Sequence, residues 1–220
     1  MWLRDVVLGV SDKLEVLPGA PWACWQCGQH EGHSLFCTSC HALQEPASDY
    51  YGLLGIPRKL ALSPDELQTR FYELSRKLHP DLFTRKSETE KRYALEASSI
   101  LNDAYRTLRD PVKRANYVLK QAGFDIGEQR SKDVPPELLE EVFELNMALE
   151  EMKGGDESAR PQLEDARRNF MAMLSATDGE LQAQFESYDS GQDTLAQIRA
   201  TLNRRKYIQN LVDEVTRVLG

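Results

Sequence analysis

No apolar run in the 220 residues approaches the ~20 needed to span a bilayer, which excludes a membrane-spanning helix. A glycine-rich phosphate loop is missing, and so are Gly-x-Ser-x-Gly and His-Glu-x-x-His. These absences leave an enzyme reading little to stand on. The first eighteen residues hold Asp5, Asp12 and Glu15 against only Arg4 and Lys13. That is too acidic for a transit peptide, and it lacks the basic start and apolar core of a signal peptide. The expectation is a soluble intracellular protein, with a bacterial cytoplasm preferred over a mitochondrial matrix. An overall charge of −8 argues against nucleic acid as the partner. Strand-like alternation is absent outside the cysteine segment, and there is no internal repeat.

Cysteine is scarce, and all four fall in the first fifth of the chain, as Cys24-x-x-Cys27 and Cys37-x-x-Cys40. Two facing knuckles of this kind supply four thiolates in a tetrahedron, which suits one structural Zn(II). A closed four-sulfur site leaves no open coordination position for catalysis. Iron or an iron–sulfur centre would use the same ligands, and His30, His33 and His41 lie close enough to replace one of them. A redox Cys-x-x-Cys would be expected at a helix start in an α/β fold, and nothing here reads as that. Trp22, Trp25, Leu35 and Phe36 are placed to cover a site too small to form its own core.

Charge is unevenly distributed. Residues 1–48 carry a net −3, residues 49–122 a net +4 and residues 123–220 a net −9, so two surfaces with different partners are expected. Within the basic middle, Ser63-Pro64-Asp65-Glu66 reads as a helix start: a Ser cap, Pro at N1 and a Glu that can reach back. Leu67, Phe71, Leu74 and Leu78 share one face of that helix, leaving Arg70, Arg76 and Lys77 outside. Pro80 ends it. Ser87-x-x-Glu90 opens a second helix with Tyr93, Ala97, Ile100, Leu101, Ala104 and Leu108 on its apolar stripe. The two must fold back on each other, which puts His79-Pro80-Asp81 at an exposed tip.

This arrangement resembles the J-domain, the module by which co-chaperones stimulate a DnaK-type ATPase. Tyr50-Tyr51-Gly52-Leu53-Leu54-Gly55, with Asp49 as its cap, looks like that module's first helix. Asn102-Asp103-Ala104-Tyr105 and Asp110-Pro111-x-Lys113-Arg114-Ala115 match in kind and order. The fourth segment, Pro111 to Ala122, should bury Tyr117, Val118 and Leu119 and end on a Gly123–Phe124 cap.

Gly127 to Pro136 reads as a linker. Beyond it three helices are expected. The first runs from Glu137 to Lys153, with more apolar positions than one stripe needs. The second runs from about Glu157 to Tyr188, and the last from after Asp189-Ser190-Gly191 to about Leu219. Such helices pack as an antiparallel bundle. The fold class is therefore all-α: a J-domain hairpin plus a C-terminal three-helix bundle, preceded by a small zinc-knuckle segment. The expected divisions are 1–48, 49–123, a linker at 124–136, and 137–220.

A tetracysteine segment, a J-domain and an acidic bundle in that order resemble the HscB family of iron–sulfur-cluster co-chaperones. Arg114-Ala115-Asn116-Tyr117-Val118-Leu119-Lys120-x-x-Gly123-Phe124 looks like that family's junction between its two parts. The resemblance implies two partners, an HscA-like DnaK-type chaperone and an IscU-type scaffold protein. It implies that His79, Pro80 and Asp81, with Arg70, Arg76 and Lys77, meet the ATPase. It also implies that Leu139, Phe143, Glu144 and Met147, with Tyr207, meet the scaffold. Two positions depart from the family pattern: Glu140 stands where an apolar residue is expected, and Met147 where an acid is expected. The apolar members of this face have an alternative place in the bundle core. A general J-protein, delivering unfolded clients with its knuckle as a client or nucleic-acid contact, is the competing reading.

Overall fold

The structure is a computed structural model that describes residues 22–31, 34–124 and 138–220. The lead-in over residues 1–20, Gly32, His33 and the expected linker lie outside the described residues, and so do the side chains of Trp22 and His30. The chain divides into two compact units: residues 1–55 with 72–102, and residues 56–71 with 103–220. No helix among the described residues is long and apolar enough to cross a membrane.

The first unit opens with a two-residue ribbon, β1 (Trp22–Ala23) antiparallel to β2 (His30–Glu31), pairing Trp22 with Glu31. Helix α1 (Tyr50–Leu54) follows, capped by Asp49, whose carboxylate accepts from the Gly52 N–H at 2.7 Å. A Cβ on Gly52 would sit 3.2 Å from that carboxylate oxygen, so glycine suits the cap. Gly55 closes α1 in the left-handed conformation at φ 64°.

Helix α2 (Pro64–Lys77) and helix α3 (Glu88–Leu108) form the expected hairpin. Ser63 Oγ accepts from Glu66 N at 3.4 Å. At α3 the capping box is reciprocal: Ser87 Oγ accepts from Glu90 N at 3.2 Å and donates to Glu90 Oε2 at 3.2 Å. Leu67, Leu74, Leu78, Ala94, Ala97, Leu101, Ala104 and Leu108 are buried. Phe71 stacks on Tyr105, with centroids 4.2 Å apart and planes 17° from parallel. Tyr93 and Ile100 are only half-buried, so they sit at the margin of the stripe.

The second unit contains α4 (Pro111–Gln121), α5 (Leu139–Lys153), α6 (Arg160–Asp189) and α7 (Leu195–Leu219). Asp110 caps α4 by accepting from Val112 N (2.9 Å) and Lys113 N (3.1 Å). Gly123, at φ 81°, ends it, with Phe124 N donating to Leu119 O at 3.0 Å. Val118 and Leu119 are buried as expected, Tyr117 only half so.

The three C-terminal helices differ in length, and this decides how the bundle is filled. Leu138, Val142, Leu145, Ala148 and Leu149 meet Leu163, Phe170, Ile208, Leu211, Val212 and Val215 in one cluster. Helices α6 and α7 run on beyond α5, and there α4 packs against α7. The buried Arg114 of α4 donates to Leu108 O at 2.5 Å and lies 5.9 Å from the centroid of Phe185 on α6. Asp189, the last residue of α6, accepts from Leu60 N and Ala61 N, each at 2.8 Å. An acid at a helix C-terminus opposes the helix dipole, so this double acceptance is what places it there. A polar seam joins α6 and α7: Thr201 Oγ1 donates to Glu180 Oε1 at 3.2 Å, and Arg204 pairs with Glu180.

Candidate functional site

The loop between α2 and α3 is short and anchored from beneath. Leu78 is buried, and its carbonyl, one of those a helix end leaves without an intrahelical donor, accepts from Ser98 Oγ of α3 at 3.0 Å. A single 3-10 turn follows over Pro80–Phe83, with Leu82 N donating to His79 O at 2.9 Å. Phe83 at its end is buried, which pins the turn to the hairpin. His79 Nδ1 accepts from Asp81 N at 3.4 Å and lies 3.5 Å from Asp81 Oδ2. The side chains of His79 and Asp81 are 62% and 84% exposed, so an acidic group stands clear of the surface on a backbone that is held in place.

Arg76 and Lys77 are exposed on the last turn of α2. Arg70 departs from expectation: it is half-buried rather than on the outer surface, because its position falls on the flank of the stripe that carries Phe71 and Leu74.

The four cysteines converge as expected, their sulfurs all within 4.8 Å of one another. The Cys24–Cys40 and Cys27–Cys37 sulfur pairs are 3.6 and 3.7 Å apart. A tetrahedron with metal–sulfur bonds of ~2.3 Å has edges of ~3.8 Å, so the donor set fits a four-coordinate ion. The two knuckles repeat one backbone design. Gly28 N donates to Cys24 O and His41 N to Cys37 O, both at 2.9 Å. Gly28 and His41 then take left-handed φ values of 71° and 59°. His41 is therefore a turn residue, exposed, and outside the cysteine cluster.

Hydrogen bonds to sulfur suit thiolates. Gln26 N (3.4 Å) and the buried Gln44 Nε2 (3.3 Å) donate to Cys24 Sγ, and Cys40 N donates to Cys37 Sγ at 3.4 Å. Burial raises the Cys24 thiol, but the Cys27 and Gln26 backbone N–H groups and the neighbouring thiols outweigh it and bring the pKa to about 6. For Cys40 the Ala42 backbone N–H lowers the pKa, yet burial and three crowded sulfurs push it up to about 12. Four thiolates this close repel one another, and a divalent cation removes that conflict.

On α5 the surplus apolar positions separate cleanly. Val142, Leu145, Ala148 and Leu149 are buried, while Leu139, Phe143 and Met147 are 56%, 66% and 49% exposed. The three lie four residues apart and so form one row, with exposed Glu140 and Glu144 beside them. Tyr207 differs from them: it is half-buried and packs on the core shared by α5, α6 and α7, and burial raises its phenol pKa.

Some structural residues escape sequence reasoning. Phe83, Ser98 and Gln44 support the two sites, and of these only Phe83, an apolar residue in a polar loop, carried a usable signal.

Hairpin, tip and bundle together define the class, a J-domain protein with a helical C-terminal domain. Residues 49–117 match the DnaJ domain model, and residues 134–216 match the HSCB C-terminal oligomerisation domain. The chain belongs to the HscB family of iron–sulfur cluster co-chaperones. It is 31% identical over 198 residues to the human iron–sulfur cluster co-chaperone protein HscB, covering 87% of this chain and 80% of that one. The mouse protein of the same name is 30% identical over the same shares. The crystal structure of human co-chaperone protein HscB superposes with a TM-score of 0.68 at 29% identity, covering 89% of this chain and 97% of the other. The chaperone HscB from Vibrio cholerae gives 0.55 at 29% identity, covering 77% and 96%.

Proposed function

We propose that this chain carries an IscU-type iron–sulfur scaffold protein to an HscA-like DnaK-type ATPase and triggers ATP hydrolysis there, performing no chemistry itself. The observation that carries this reading is the exposed Leu139–Phe143–Met147 row. Large apolar side chains on a helix that already has a full buried stripe point to a surface a partner covers. Glu140 and Glu144 border that row and favour a partner with basic groups around an apolar centre. Tyr207 joins the contact from α7 with its exposed edge.

For the ATPase contact, Asp81 pairs with an arginine of the ATPase, a charge-assisted contact with demanding geometry. His79 and Pro80 fix the turn that presents it. Arg76 and Lys77, with the exposed part of Arg70, attract an acidic surface and speed encounter.

The functional divisions in this reading are 1–48, 49–123, 124–136 and 137–220. Cys24, Cys27, Cys37 and Cys40 hold one Zn(II), which cross-links the two knuckles and leaves no coordination position for substrate. The place of action is wherever both partners reside, a bacterial cytoplasm or a mitochondrial matrix.

The test is to measure ATPase stimulation and scaffold binding for Asp81→Asn. Stimulation should vanish while scaffold affinity stays unchanged; full stimulation by this variant would overturn the assignment. A pull-down dominated by mixed unfolded clients instead of the scaffold would favour a general co-chaperone.

A further inference from the structure

The two knuckles bury little of their own. Cys24, Cys37, Ala42, Leu43 and Pro46 are the only buried apolar residues of the cysteine segment among those described, too few to hold a fold without a metal. Trp25 is tied to both knuckles at once. Its backbone lies inside the first, between Cys24 and Cys27, and its indole N–H donates to Leu43 O beyond the second at 2.8 Å. The position of its ring therefore depends on the two knuckles being joined.

That ring does not stay within the cysteine segment. It meets Tyr93 of α3 edge-on, with centroids 6.4 Å apart and planes at 75°. The Arg92 guanidinium lies 5.1 Å from the centroid of the same tyrosine. Tyr93 is in the second turn of α3, just after the His79–Pro80–Asp81 turn and its capping box.

We propose that the cysteine segment is a metal-dependent clasp on α3. Bound metal joins the knuckles, the joined knuckles fix Trp25, and Trp25 holds Tyr93 and the start of α3 in place. Metal loss frees Trp25 and loosens the helix beside the ATPase-facing tip. The inference rests on the reading that the four cysteines hold a metal, and it adds a role for that metal outside its own segment.

Amide hydrogen exchange on the full chain tests it, comparing Zn(II)-reconstituted protein with the same protein after a strong chelator. Exchange over residues 90–97 should accelerate about tenfold on chelation, the scale of losing one aromatic pair and its burial. In Tyr93→Ala, which keeps all four cysteines, zinc content should be unchanged and the acceleration below about twofold. Tyr93→Leu serves if the alanine variant folds poorly. A wild-type helix indifferent to chelation, while binding one zinc, overturns the clasp alone, as does a Tyr93→Ala chain that responds like wild type. A chain that binds no zinc overturns the metal reading and the clasp together.

Discussion

Replacing Asp189 by alanine tests how the J-domain loop and the bundle are joined within the second compact unit. Its carboxylate accepts two backbone amides, Leu60 N and Ala61 N, at 2.8 Å each, and Leu60 is fully buried. Hydrogen bonds to a charged acceptor contribute ~1.5–3 kcal/mol apiece, and removing the acceptor leaves a buried N–H without a partner. Against this, losing an acid from the end of α6 relieves an unfavourable dipole contact of ~0.3–1 kcal/mol. Ala61 is half-buried, so water recovers part of its bond. The net loss should be about 2–4 kcal/mol, or a fall in Tm of about 5–15 °C for a chain of this size. Asp189→Asn keeps one acceptor oxygen and should lose about half as much. Urea denaturation followed by helical circular dichroism is the assay, with the midpoint shifting at constant m if unfolding stays two-state. A change under ~0.5 kcal/mol in Asp189→Ala would refute the reasoning, because a change that small is typical of an uninvolved surface site.

Alanine at Leu139, Phe143 and Met147 together should weaken scaffold binding at least tenfold, with a Tm change within a few degrees, since all three side chains are exposed. A large stability loss would move them to the core. Burial raises the phenol pKa of Tyr207 and, first among its causes, that of Tyr188. The neutral form is favoured in the fold, so stability is complete below pH ~10 and falls as pH rises through the folded pKa values. Tyr207→Phe should flatten that alkaline loss without abolishing it, as read from melting temperature against pH. Elemental analysis should find one zinc per chain, and Cys37→Ser should remove it.

Features governed by neighbours in sequence were legible: the Ser63 and Ser87 caps, the Asp49 cap, the Pro80 stop and the paired cysteine knuckles. Each depends on residues within a turn or two of one another. What periodicity shows is a helix face, not what that face meets. Tyr93 read as a hairpin residue but meets Trp25, 68 positions earlier. Arg70 read as a surface cation but is half-buried, and nothing in the spacing around Arg114 marked it as buried. Asp189 read as a turn residue, yet its partners lie 128 and 129 positions away. The surplus of apolar residues on α5 was visible, but only burial could separate Phe143 from Leu145.

The shortness of α5 has a consequence for dissecting the molecule. Where α5 stops, α6 and α7 continue, and the company of Phe185 includes Arg114 of α4. A fragment beginning near residue 134 would lack α4, so α7 would lose that packing and Phe185 the Arg114 side chain beside it. Severed tails of this kind should clump or melt early. Helix α4, which closes the stretch matching the DnaJ domain, is also a structural wall of the C-terminal helices.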